Sequence, residues 1–290
     1  MTSPARLAAA LLLAVPAVPP ARGTAQSPAP AGEVLDGDGV RLRYVVRGAG
    51  PPVLLVHGFA ISAAVNWAAT GILDSLAARY TVIAPDLRGH GASDKPQEPA
   101  AYGVRFVEDL VRLLDHLRVP RAHVVGYSMG GAIALRLLTL HPDRVISAVI
   151  GGAGWRPGEV GPPPVVREWL IRLDAAARGE LTVSEALAGP VRAEWGPDLR
   201  AALDRNDPRA LGAVIRGGAG LAVSEAELRA NRVPALAVFG ERDALVRADV
   251  DRLAGVLAGV EVEAIPGTDH FSVLGDPRLP RAILRFLDGR

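Results

Sequence analysis

His123-Val124-Val125-Gly126-Tyr127-Ser128-Met129-Gly130-Gly131, followed by Ala132 to Leu140, is the stretch from which the fold of this chain can be read. Its short apolar start has the composition of a strand buried on both faces, and residues 132–140 carry the pattern of a helix. Between them, Gly126-x-Ser128-x-Gly130 marks a sharp strand-to-helix turn. Such a turn strains the backbone at the serine, and side chains two residues either side would strike the adjoining strand and helix, so both positions are glycine. The Ser128 hydroxyl is thereby presented at a helix N-terminus, whose partial positive charge favours a developing anion. In a chain with 32 glycines the spacing alone is weak, and its strand-to-helix context is what makes it informative.

Around this turn the sequence alternates. Val34-Leu35 and Arg41 to Val46, separated by Asp36-Gly37-Asp38-Gly39, predict an antiparallel hairpin, because Asp-Gly pairs supply the positive-φ turn positions. Short apolar runs follow at Val53–Val56, Thr81–Ala84, His123–Val125, Val145–Ile150, Ala235–Phe239 and Val260–Ile265. Between them lie segments of helical period, in one of which Phe106, Leu110, Leu113, Leu114 and Leu117 mark a single apolar face. Strands alternating with helices give an α/β fold with a mostly parallel sheet covered on both sides.

One connection is far longer than a crossover requires. From Gly152 to Ala235 run about eighty residues, where a dozen or more suffice. The segment opens Gly- and Pro-rich and then predicts helices over Val165–Ala177, Val183–Ala188, Asp198–Asp204 and Pro208–Ile215. An insertion of this size without strands is expected to form a helical lid over one end of the sheet, residues 155–231, with the core in residues 33–154 and 232–290.

The N-terminus is different again. Arg6 precedes an apolar run from Leu7 to Val18, followed by prolines and small residues around Gly23-Thr24-Ala25. That order predicts a secretory signal peptide over residues 1–25, a flexible linker over 26–32, and a secreted or periplasmic protein. The competing reading is an Ala/Pro-rich tail from a misassigned start, which would leave the protein cytoplasmic. The run is shorter than the roughly 20 apolar residues a bilayer span needs, and Pro16, Pro19 and Pro20 interrupt it, so no stable membrane span is expected.

A serine hydroxyl becomes a nucleophile when a base removes its proton. For this topology the expected order is serine, acid, histidine. Only His141 and His270 follow Ser128; His141 lies at the end of the elbow helix, whereas His270 follows a strand in the loop Pro266-Gly267-Thr268-Asp269. Loops at the C-terminal ends of strands are where α/β sites gather, so His270 is the candidate base. Asp243, in Gly240-Glu241-Arg242-Asp243 after a buried strand, is the candidate orienting acid, with Glu241 and Asp269 as competitors. An oxyanion hole would draw on the backbone N–H of Met129 and, from His57-Gly58-Phe59, that of Phe59. His57 itself is expected to tie that loop down.

Taken together, His57-Gly58-Phe59, Asp86-Leu87-Arg88-Gly89-His90-Gly91-Ala92-Ser93, Gly126-Tyr127-Ser128-Met129-Gly130-Gly131, His141-Pro142-Asp143-Arg144-Val145, Gly240-Glu241-Arg242-Asp243 and Asp269-His270-Phe271 resemble successive landmarks of the α/β-hydrolase superfamily. The resemblance implies a mostly parallel eight-stranded sheet, a Ser-His-Asp mechanism through an acyl-enzyme, no cofactor and no metal. It implies a structural role for Asp86 to Ser93. Epoxide hydrolases and haloalkane dehalogenases place an aspartate where this chain has Ser128. Meta-cleavage carbon–carbon hydrolases carry a more glycine-rich loop than Gly58-Phe59-Ala60-Ile61, and prolyl aminopeptidases show a tryptophan in the elbow. The expectation is a serine hydrolase of carboxylic esters or lactones. A carbon–carbon hydrolase, a cofactor-free perhydrolase and a slow-turnover signalling protein on the same scaffold remain open.

Composition narrows the partners. Lys and Arg number 32 against 31 Asp and Glu, for a net charge of +1, and no basic face for nucleic acid is visible. The absence of cysteine excludes disulfides, thiolate nucleophiles and zinc–sulfur sites. Trp155, Trp169 and Trp195, with many Val, Leu and Ala, suit a small-molecule ester with an apolar group, although packing of the lid onto the core would use the same residues. Asn66 and Trp67 either line the pocket or cap and pack the helix that follows.

Overall fold

Residues 32–158, 161–191 and 195–290 are described in a computed structural model of the chain. The predicted signal peptide and nearly all of the linker, residues 1–31, lie outside them. Strands β1 (Glu33–Gly37) and β2 (Val40–Arg47) form the expected hairpin. Asp38 and Gly39 turn it with φ of 57° and 72°, the left-handed pair that matches the twist of the flanking strands.

The apolar runs become β3 (Pro52–Val56), β4 (Thr81–Pro85), β5 (Ala122–Tyr127), β6 (Val145–Gly151), β7 (Ala235–Gly240) and β8 (Glu261–Ile265). Together the eight strands form one sheet in the order β1-β2-β4-β3-β5-β6-β7-β8. From β4 to β8 all pairings are parallel, and β2 runs antiparallel to β1 and β4. Val56 pairs with Gly126, Gly126 with Ile150, Gly151 with Val238, and Gly240 with Ile265. This register brings the C-terminal ends of β3, β5, β6, β7 and β8 to one edge of the sheet, so the loops that follow them converge.

Both faces are covered, which is why the central strands read as unbroken apolar runs. On one face α2 (Arg105–His116) buries Phe106, Leu110, Leu113 and Leu114, and α3 (Met129–Leu140) buries Ile133, Leu137 and Leu138. They share a core with Val250 and Leu253 of α9 (Arg247–Val256). On the other face α1 (Ile72–Ala77) and α10 (Arg278–Asp288) set Ile72, Leu76, Ile283 and Phe286 against Val53, Leu55 and Val238.

Between β6 and β7 the expected helices form as α4 (Pro164–Ala177), α5 (Val183–Val191), α6 (Pro197–Asp204) and α7 (Pro208–Gly217). The insertion has an apolar core of its own, in which Leu173, Ala186, Leu187, Leu203 and Leu211 are buried. A fifth helix, α8 (Glu225–Ala230), escaped the sequence reading. It is six residues long and buries one side chain, Leu228, so it has almost no periodicity to read. Its start was nonetheless marked, since Ser224 and Glu227 form a capping box. Among the described residues no helix is long and apolar enough to cross a membrane.

Candidate active site

The turn after β5 is as tight as its glycines imply. A Cβ on Gly126 would lie 2.1 Å from the Gly130 carbonyl oxygen, and one on Gly130 would lie 2.0 Å from that of Val56. Ser128 takes φ 54° and ψ −117°, a conformation that costs a side-chain-bearing residue on the order of 1–3 kcal/mol. Its N–H is tied to the Gly151 carbonyl of β6 at 2.8 Å. The half-buried serine therefore stands on the convergent edge of the sheet, at the N-terminus of α3.

His270 and Asp243 arrive from the loops after β8 and β7. These loops are fastened together: Arg242 N–H donates to the Thr268 carbonyl at 2.8 Å, and a Cβ on Gly240 would lie 2.6 Å from the same oxygen. His270 Nε2 lies 3.0 Å from Ser128 Oγ, and its Nδ1 lies 2.7 Å from Asp243 Oδ2. The carboxylate can only accept, so the Nδ1 proton points to Asp243 and Nε2 is left to take the serine proton. Asp243 is 1% exposed, and its other oxygen accepts from Leu245 N–H at 3.1 Å. The two competing acids are engaged elsewhere: Glu241 accepts from Gly267 N–H, and Asp269 accepts from Phe271 N–H, Ser272 N–H and the Ser272 hydroxyl. Burial pushes the Asp269 carboxyl up, but those donors hold it below its ordinary value.

Tyr127 was not singled out by the sequence, since it fills a free position of the motif. Its hydroxyl donates to the His270 carbonyl at 2.5 Å, and its ring lies 5.5 Å from the imidazole. Burial first, and then the charges of Asp243 and Asp269, push the phenol well above its usual value, so it stays a donor.

The comparisons with known proteins agree with this architecture. The model of the α/β hydrolase fold matches residues 51–180. A solved hydrolase from Pseudomonas aeruginosa is 28% identical and superposes with a TM-score of 0.74, over 89% of this chain and 99% of its own. The chain has the α/β-hydrolase fold. A second solved structure, described as an N-acyl homoserine lactone degrading enzyme, is 28% identical with a TM-score of 0.67, over 87% of this chain and 99% of its own. Epoxide hydrolase A of Mycobacterium tuberculosis is 41% identical over 121 residues, 40% of this chain and 37% of that protein. The chain spans between 30% and 41% of the length of the first curated relatives it matches.

The loop after β3 carries the remaining polar groups of the site. His57, fully buried, accepts the Leu87 N–H at Nε2, 2.9 Å away, so its Nδ1 is the donor to the Gly58 carbonyl at 2.8 Å. Burial holds its pKa below the ordinary histidine value, which keeps both bonds. Asn66 accepts the Gly58 N–H through Oδ1 at 2.8 Å, so it fixes this loop instead of capping a helix. Among the described residues no protein acceptor takes the N–H of Phe59 or of Met129. The Asp86 to Ser93 segment buttresses the loop from behind, with Asp86 accepting from the N–H groups of Ala63 and Ala92. Of the three tryptophans, Trp155 donates to Val223 and belongs to the core, Trp169 stacks on Phe59, and Trp195 meets Phe271 edge-on next to His270.

Proposed function

We propose that this α/β hydrolase cleaves carboxylic esters or lactones through an acyl-enzyme on Ser128. The observation that carries the reading is the unbroken chain from Asp243 Oδ2 through His270 to Ser128 Oγ, with steps of 2.7 and 3.0 Å, beside two unused backbone donors. Ser128 attacks the carbonyl as His270 takes its proton, and Asp243 holds the imidazole tautomer and stabilises the imidazolium. The tetrahedral oxyanion is met by the N–H groups of Phe59 and Met129. His270 then protonates the leaving alkoxide, and in the second step it activates water to release the acid.

The nucleophile also argues against epoxide opening, despite the relative of that activity. A serine that opened an epoxide would leave an ether, which base-activated water does not hydrolyse, whereas a carboxylate nucleophile leaves a cleavable ester. The aromatic residues bordering the site, Phe59, Trp169, Trp195 and Phe271, favour an apolar group on the substrate.

The test is hydrolysis of p-nitrophenyl acetate, butyrate, octanoate and palmitate, and of a set of acyl lactones, with Ser128→Ala as the blank. Turnover that disappears in the blank by several orders of magnitude supports the reading. Equal turnover by Ser128→Ala, or no turnover except on a dienoate with a scissile carbon–carbon bond, overturns it.

A further inference from the structure

The oxyanion loop contains a conformation that its own residues do not account for. Ala60 has φ 60°, in the left-handed region that an alanine enters only under constraint, and it is 1% exposed. The constraint comes from the helical insertion. Asn206, in the turn between α6 and α7, donates through Nδ2 to the Ala60 carbonyl at 2.9 Å, and to that of Leu203 at 2.9 Å, which fixes the amide to the end of α6. One residue earlier, the Phe59 ring stacks on Trp169 of α4 with centroids 6.1 Å apart and planes 23° from parallel. Ala60 is itself part of the insertion's apolar core. The loop is thus held from two sides: the sheet domain grips Gly58 through His57 and Asn66, and the insertion grips Phe59 and Ala60.

We propose that Asn206 is a positioning residue for the oxyanion hole, and that the insertion, by seating this amide on Ala60, completes the hole. The inference rests on the serine-hydrolase reading above. Without the Asn206 donor, Ala60 is free to return to negative φ, and the chain leaving Phe59 swings with it. The Gly58 side remains pinned, so the loop is displaced and not unfolded, and the Phe59 N–H loses its aim at the reacting carbonyl.

Two variants and one control test this. Asn206→Ala removes the donor, and Asn206→Asp replaces it with an acceptor of the same shape, facing a carbonyl oxygen. Both are expected to lower kcat by about 10- to 100-fold with KM changed less than about two-fold, since a misaimed donor acts on the transition state. Their affinity for a boronic acid, which forms a tetrahedral adduct, falls in proportion to kcat/KM. The control is Gln97→Ala, which cuts a 2.7 Å tie from the core to Asp207 of the insertion without touching the loop, and which leaves kcat at the parent value. Equal losses in the control and in Asn206→Ala would mean general loosening of the insertion and overturn the proposal. Amide hydrogen exchange over residues 57–63 needs no substrate; it is expected to speed up in Asn206→Ala and not in Gln97→Ala. Unchanged exchange in Asn206→Ala overturns the proposal whatever the substrate. Loss of the serine-hydrolase reading would instead be seen as turnover surviving in Ser128→Ala.

Discussion

Ser128 stands at φ 54° and ψ −117°, held there by close glycine contacts on either side and by its bond to Gly151. That strain serves the presentation of Oγ and nothing else, so it should be recoverable as stability. Ser128→Gly and Ser128→Ala are both expected to be inactive, but only glycine accepts this backbone without cost. The glycine variant should be the more stable of the two by about 1 kcal/mol, measured as the urea midpoint; equal midpoints would mean the elbow is unstrained. At Asp243 the isosteric Asn variant keeps the volume but offers His270 the wrong partner. A drop in kcat of about 10⁴-fold with an unaltered fold by circular dichroism is expected, and a loss under ten-fold would point to another acid. These three residues were legible in the sequence because a glycine-bracketed serine, a histidine after the last strand and a carboxylate after the strand before it have a fixed order. Tyr127 and Asn206 were not readable as parts of the site, and Asn66, read as lining the pocket or serving the next helix, was not readable as the tie on Gly58. Each acts through one tertiary hydrogen bond to a distant backbone atom, and no local pattern records such a bond.

At the scale of elements, the strands were legible for a different reason. Burial on both faces leaves β3 and β7 without polar residues and β5 with only His123, paired to Ser147, and the Tyr127 hydroxyl, so the runs are nearly continuous in sequence. The helices of the insertion were also readable, but what they touch was not. That Phe59 stacks on Trp169 follows from how the insertion folds back over the loop after β3. The junction of β3, β5 and α3 makes its own prediction. Gly130→Ala drives a methyl group to within 2.0 Å of the Val56 oxygen, a backbone atom that cannot yield without moving β3. The variant should lose several kcal/mol of stability, or fail to accumulate as folded protein. A urea midpoint equal to the parent's would contradict the packing of this junction.

At the scale of the whole molecule, two buried histidines govern the response to acid. His90 is fully buried, with its pKa pushed down to about 3, first by burial and then by His57 5.3 Å away, whose own pKa is also lowered by burial. Unfolded histidines take up protons near pH 6.5, where these two remain neutral, so below that pH the unfolded chain binds more protons. Stability is then at its full value above about pH 6.5 and declines as pH falls toward 3. The urea midpoint should drop progressively over that window, and His90→Leu, though less stable at neutral pH, should show a shallower decline. A parent midpoint independent of pH there would mean the imidazoles are hydrated. One further consequence follows from where the insertion interrupts the sheet. Ser128, Met129 and Phe59 precede it, whereas Asp243 and His270 follow it, with serine and histidine 142 positions apart. A chain severed between β6 and β7 would yield two halves, each chemically mute. Mixed together, they could regain turnover only by re-pairing Ala148 through Gly151 with Ala235 through Val238. The protein is thus laid out as a complementation reporter, in which the hydrolysis proposed above would count the reassembled halves.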